Sequence, residues 1–343
     1  MNGMRGLPAV ILLNAVAVCS LAQWSIRDAG VNANLRGIHH VGGGVAWASG
    51  TEGTVLRTLD GGDTWHRCTT PPDASKLDFR GVQAFNRSTA LVMSSGSGEQ
   101  SRVYRTSDGC VTWKLVLANP DAPGGFFDAI RLRQGHRSGL LVGDPVKGNF
   151  AVFQTRDSGR TWTKMAVAAN SGEGLFAASN SNIVESPAGL MFVSGARSYF
   201  IGPGAPQGGA IPLQQGDSAG AFSVASGHGV LVAVGGDYRK PGVSDGTCAV
   251  STDAGVHWRV AATPPHGYRS SVAYDSDAKK WIAVGPNGTD VSEDDGHHWV
   301  ALKPSPGDTE KADQNWNALS LPFVVGPKGR IGKLRSLRAA PPG

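Results

Sequence analysis

Cysteine is scarce, with 4 in 343 residues. Cys19 lies beside an amino-terminal apolar run. The other three, Cys68, Cys110 and Cys248, are odd in number and far apart, which excludes a disulfide framework and a CxxC metal pair. One bridge is conceivable, but no spacing argues for it. Charged residues are also few, at 17%, while hydrophobic residues reach 40%, so the chain can bury a core and is not of disordered composition. The net charge is +5, yet Arg5 together with Lys328, Arg330, Lys333, Arg335 and Arg338 supplies six positive charges. The remainder is therefore slightly acidic. The basicity belongs to a tail, with 335–343 expected to be disordered, and the basic stripe of a nucleic-acid-binding protein is missing.

Long apolar runs are missing as well. The one candidate, residues 7–18, is broken by Asn14 and is too short for a permanent membrane-spanning helix. Arg5 precedes it, and Ser20 and Ala22 stand at the −3 and −1 positions of a cut before Gln23. This pattern predicts a signal peptide over 1–22 and export to the periplasm or the cell exterior. Bulky Val18 argues against a lipoprotein cut before Cys19. No GxGxxG opens a helix after a strand, since Gly42, Gly43 and Gly44 fall between β-rich runs. No nucleophile elbow is visible. The pairs His39/His40 and His297/His298 would point to opposite faces of a strand, so they read as loop or surface residues rather than metal ligands. No catalytic residue, metal or cofactor is expected.

Glycine, by contrast, is abundant: 48 residues, about 14% and roughly twice the usual share. There are also nine Trp. One octapeptide recurs five times, carrying Asp60 and Trp65, Asp108 and Trp113, Asp157 and Trp162, Asp253 and Trp258, and Asp294 and Trp299. Each begins with Ser or Thr two residues before its Asp, and Gly usually follows two residues after, with Cys110 standing there in the second copy. This is the Asp-box, or BNR repeat, and the wide gap between the third and fourth copies implies a decayed one near residue 205. Its Asp can accept backbone N–H groups within a turn, its Gly supplies unusual backbone angles, and its Trp starts a strand and packs inward. These aspartates are read as structural.

Between boxes lie three β-rich runs, which with the post-box strand make four strands per repeat, the blade of a propeller. Units start near Leu35, Phe79, Phe127, Phe176, Phe222, Tyr268 and Trp316. The expected fold is thus an all-β, seven-bladed propeller over 23–334. Its seventh unit has three strands, and residues 23–27 resemble the missing fourth. The N-terminal strand is expected to complete that blade and so remove two open sheet edges.

In such a meander, the loops between second and third strands and those between blades share the face opposite the boxes. Arg36, Arg80 and Arg269 start three of the units on that face, and Tyr268 adjoins one of them. The loops add Asp144, Asp237, Tyr238, Arg239 and Asp290, with Asp128 and Glu173 nearby. This set reads either as a mixed-charge mouth that binds a ligand or protein segment, or as ion pairs tying blades together.

The boxes, with LDFR (77–80), NPD (119–121), FFD (126–128), GDPV (143–146), GGDY (235–238), GYRS (267–270) and GPNG (285–288), resemble the photosystem II stability/assembly factor-like propellers and their relatives in non-photosynthetic bacteria. The resemblance covers essentially all of the chain after residue 22. It implies an exported, monomeric, non-enzymatic scaffold whose partner is a protein, such as a membrane-protein assembly intermediate. The photosynthetic members hold such an intermediate on an arginine-bearing face, to which Arg36, Arg80 and Arg269 are loosely comparable. Asp-boxes are also frequent in sialidase-like glycoside hydrolases. The Arg-Ile-Pro element usual there is absent, and no spacing organises Tyr238, Tyr268, Glu173 and Asp128 into such a site. An oxidoreductase role, a label some relatives carry, has still less support.

Overall fold

The computed structural model describes residues 24–121, 123–186, 189–201, 207–304, 309 and 311–335. The expected signal peptide, residue 23 and nearly all of the basic tail lie outside them. Among the described residues, seven four-stranded antiparallel sheets form the blades, and a two-stranded hairpin, Pro145–Val146 with Asn149–Phe150, is added in blade 3. The first strands of the blades are Leu35–Gly42, Asp78–Ala84, Phe127–Leu132, Ile183–Ser186, Ala219–Gly227, Ser271–Asp275 and Ala318–Ser320. Each first strand contacts that of the next blade, and the seventh contacts the first, so the sheets close into a ring. Seven buried apolar clusters accompany them, one at each interface between neighbouring blades. The core is therefore distributed around the ring, with both faces of a blade's inner strands buried. That accounts for the near-continuous apolar runs of second strands such as Ala90–Ser95 and Val230–Asp237.

The ring is closed by the chain's two ends. Trp24–Asp28 pairs antiparallel with Arg330–Leu334 and makes the fourth strand of blade 7. Trp24 is buried against Trp316, with ring centroids 5.9 Å apart, and its indole N–H donates to Thr289 Oγ1 at 3.0 Å. This strand therefore also ties blade 7 to blade 6.

The five repeats are turns between third and fourth strands. In the first, the Thr58 hydroxyl donates to Asp60 and accepts from the backbone N–H of Gly62. Asp60 accepts from the N–H and the hydroxyl of Thr64. Blades 2 and 3 repeat this arrangement, while in blades 5 and 6 the imidazoles of His257 and His298 replace the threonine hydroxyl. Hydrogen bonding to the charged form holds these carboxyls below their usual range, at about 2 for Asp108. The decayed copy expected near residue 205, within 202–209, lies largely outside the described residues, of which 207–209 belong to the fourth strand of blade 4, Gln207–Ala210.

Two successive residues in each box have positive φ, and the second packs against the preceding blade. A Cβ on Gly159 would lie 2.5 Å from Leu91, and one on Gly62 would lie 2.5 Å from Phe323. Cys110 occupies this position in blade 2 with φ 66°. Its side chain does not clash with blade 1, because it is bonded to it: Cys68 and Cys110 form a disulfide. No sequence spacing argued for this pairing. It arises because the repeat packs the box of one blade against its predecessor, where Cys68 directly follows the fourth strand, His66–Arg67.

Two expectations need correction. The first strand of blade 4 begins at Ile183 rather than near Phe176, because 166–182 form a longer connection whose last residues bond the inner strands of other blades, Asn180 to Ile130 and Ser181 to Ser223. His39 and His40 are not in a loop but in the first strand of blade 1, both half-buried, with His39 facing the next blade. His39 Nδ1 accepts the Ala84 N–H at 3.1 Å, and burial, with Arg131 nearby, pushes its pKa down to about 3, so it is neutral.

Candidate functional site

The first strands start on the face opposite the boxes, so their opening residues converge around the ring axis. A cavity of about 570 Å³ opens there, and it gathers Arg36, Arg80, Asp128, Asp144, Tyr238 and Tyr268 from blades 1, 2, 3 and 5 and the connection into blade 6. No box aspartate or tryptophan lines it. Blade thickness separates the repeated turns from this opening, as the meander requires.

The two arginines differ in how they are held. Arg80 Nε donates to Asp78 at 2.7 Å, and Nη1 donates to the Ala177 carbonyl at 3.0 Å. Arg36 forms no ion pair among the described residues. It has one long contact, 3.5 Å, to the same carbonyl, and its buried Nε has no partner. Burial and the adjacent Arg80 charge lower its pKa. A guanidinium held this way, half-buried and short of acceptors, is a ready site for a carboxylate or a run of backbone carbonyls.

Carboxyl groups line the cavity too. Asp144 Oδ1 accepts the Leu175 N–H at 2.9 Å. Asp128 is 1% exposed, and its Oδ2 has no partner. Burial, reinforced by Asp144, holds its carboxyl well above the usual carboxylate range, with Arg80 opposing the shift. The aromatic wall is Phe176 stacked on Phe222 at 3.9 Å, with Tyr268 edge-on to Phe222 at 4.8 Å.

The remaining sequence-derived candidates sit elsewhere. Glu173 lines an adjoining cavity of about 590 Å³ that shares Asp144 and Phe176, and it accepts from Ser194 and Tyr199. Asp237 accepts from Ser218 and from the Arg239 N–H, while the Arg239 guanidinium sits 5.7 Å from the centre of the Tyr238 ring. Neither Asp237 nor Arg239 lines the cavity. Arg269 and Asp290 are fully buried within blade 6. Arg269 Nε donates to Asp290 at 2.6 Å, and Asn287 and His266 complete the network. Arg269 thus ties loops of blade 6 together and does not reach the opening.

Sequence reasoning missed Asp78, Phe126 and Asp217, and it took Phe176 for a strand residue. Asp78 left a signal: it stands two residues before Arg80 in the LDFR run, within reach of its guanidinium. Phe176 and Asp217 lie in connections between blades, whose path no periodicity reveals. Among the described residues there is no metal-ligating cluster of three His, Cys, Asp or Glu, and no helix is long and apolar enough to cross a membrane.

Over residues 16–229 the chain matches the model of the photosynthesis system II assembly factor YCF48. The chain belongs to this family. No curated protein matches it. Among solved structures, YCF48 bound to a D1 peptide is similar at 19% identity and TM-score 0.61, over 92% of this chain and 97% of that one. YCF48 from Cyanidioschyzon merolae is similar at 16% identity and TM-score 0.60, over 91% and 99%. An ancestral GH74 enzyme is more distant, at 11% identity and TM-score 0.57, over 89% of this chain and 45% of that one. At such identities the structural likeness establishes the fold, while the family assignment rests on the sequence match.

Proposed function

We propose that this YCF48-family propeller is an exported, monomeric, non-enzymatic scaffold that holds a protein segment on the face opposite its box turns. The segment would belong to a membrane protein during assembly. The observation that carries this reading is the Arg36 guanidinium, which lines the cavity without an acid partner beside an Arg80 that has one. The family match supports it, as does the neighbouring propeller bound to a D1 peptide. The face offers what an extended segment needs: buried donors for its carbonyls or carboxylates, and aromatic surface for its side chains.

The test is binding to an array of peptides taken from the host's own membrane proteins, comparing the wild type with Arg36→Glu and Arg80→Glu. Peptides selected by the wild type should lose at least tenfold in affinity to each variant, with the melting temperature little changed. Equal binding by wild type and variants would place the partner elsewhere. Turnover of a fluorogenic glycoside that these substitutions abolish would replace the scaffold with a hydrolase.

A further inference from the structure

We propose that the acid half of this cavity, Asp128 with Asp144, is a subsite for one cationic side chain, the lysine or arginine of the bound segment. This inference rests on the reading that the cavity is where a segment docks. Asp128 is the second residue of the first strand of blade 3, is 1% exposed, lines the cavity, and has an unpartnered Oδ2. A buried carboxyl oxygen without a partner costs free energy in the free protein, and a donor that arrives with a ligand offsets that cost. Asp144 brings a second carboxyl to the same cavity, and Asp217 stands exposed at its rim.

The protein's own cations do not fill this role. Arg80 is near enough to influence Asp128, but its Nε is committed to Asp78 and its Nη1 to the Ala177 carbonyl. Burial and the neighbouring Asp144 hold the Asp128 carboxyl well above the usual carboxylate range, and a positive charge entering beside it would act in the opposite direction. Although Asp217 stands at the same rim, the three acids do not converge into a metal-holding group among the described residues, so the ligand chemistry that suits them is an organic cation. Phe176, Phe222 and Tyr268 line the same cavity and suit the aliphatic stem and the cationic head of a basic side chain. Arg36 at one side and Asp128 at another thus give the cavity two poles, which select a segment carrying both signs of charge.

Two capped residues separate the poles. Nα-acetylarginine amide carries one cation and no carboxylate, and N-acetylglycine carries one carboxylate and no cation. Each is titrated into the full-length protein, with chemical-shift changes followed at Phe176 and Ala177. Asp128→Asn should weaken Nα-acetylarginine amide at least tenfold, leave N-acetylglycine within twofold, and melt no lower than wild type, since the Oδ2 it replaces has no partner to lose. Arg36→Gln should do the reverse to the two probes. Nα-acetylcitrulline amide, isosteric and uncharged, should not bind. The proposal is overturned if the cation leaves these signals unmoved, if Asp128→Asn binds it as wild type does, or if millimolar calcium displaces it. Loss of N-acetylglycine binding alone would count against the arginine pole and leave the acid pole standing.

Discussion

Arg36, Arg80 and Arg269 look equivalent in the chain, each opening a blade beside an apolar residue, yet their surroundings differ completely. Arg269 is fully buried and saturated by Asp290, Asn287, His266 and a backbone carbonyl. Removing it leaves Asp290 charged and buried, so Arg269→Ala should cost about 3–5 kcal/mol. Urea denaturation should show this loss, while Arg36→Gln should stay within about 1 kcal/mol of wild type, because Arg36 has no ion pair to break. A reversed order would mean that Arg36 holds blades together and that Arg269 is the free cation. Whether an arginine pairs or waits depends on which loops lie over it, and adjacent sequence does not encode that.

At the scale of the element, the box turn is a self-contained device: a hydroxyl, a carboxylate and two left-handed residues satisfy one another within eight positions. Such local chemistry is why the repeats were legible. The second box differs because Cys110 replaces glycine and binds Cys68 across the blade 1–2 interface, 42 residues away in sequence. Closing a loop of that size reduces the entropy of the unfolded chain by up to about 4 kcal/mol. Chemical denaturation with and without reductant should therefore differ by about 2–4 kcal/mol, and Cys68→Ala should abolish the difference. No effect of reductant on the wild type would mean that the two thiols are not joined in solution. Cys248, buried in the blade 5–6 cluster, should not contribute.

For the whole molecule, closure is the controlling event. Blade 7 borrows Trp24–Asp28 from the far end of the chain, and Trp24 reaches across to blade 6. Deleting 24–28 opens an edge strand and exposes a buried tryptophan, so the melting temperature should fall sharply. Trp24→Ala alone should cost about 3–5 kcal/mol. An unchanged melting curve for the deletion would refute closure by this strand.

Blade number, strand count, closure and the structural role of the boxes were all readable, because they arise from local turn chemistry and from a period that repeats it. Phe79, Phe127 and Leu35 fell at blade starts for the same reason. The composition of the cavity was readable only in part. Arg36, Arg80, Asp128 and Asp144 lie at or beside the ends of regular strands, so the repeat predicted their face. Phe176 and Asp217 are carried in by irregular connections, and Arg269 is hidden by its own blade. The amino-acid order determined the ring, since every wedge but the seventh is built from one continuous stretch of chain, and the seventh takes its last strand from the other end. Which charges face one another across its mouth was decided only by tertiary structure, because those groups come from different blades and meet only once the ring has closed.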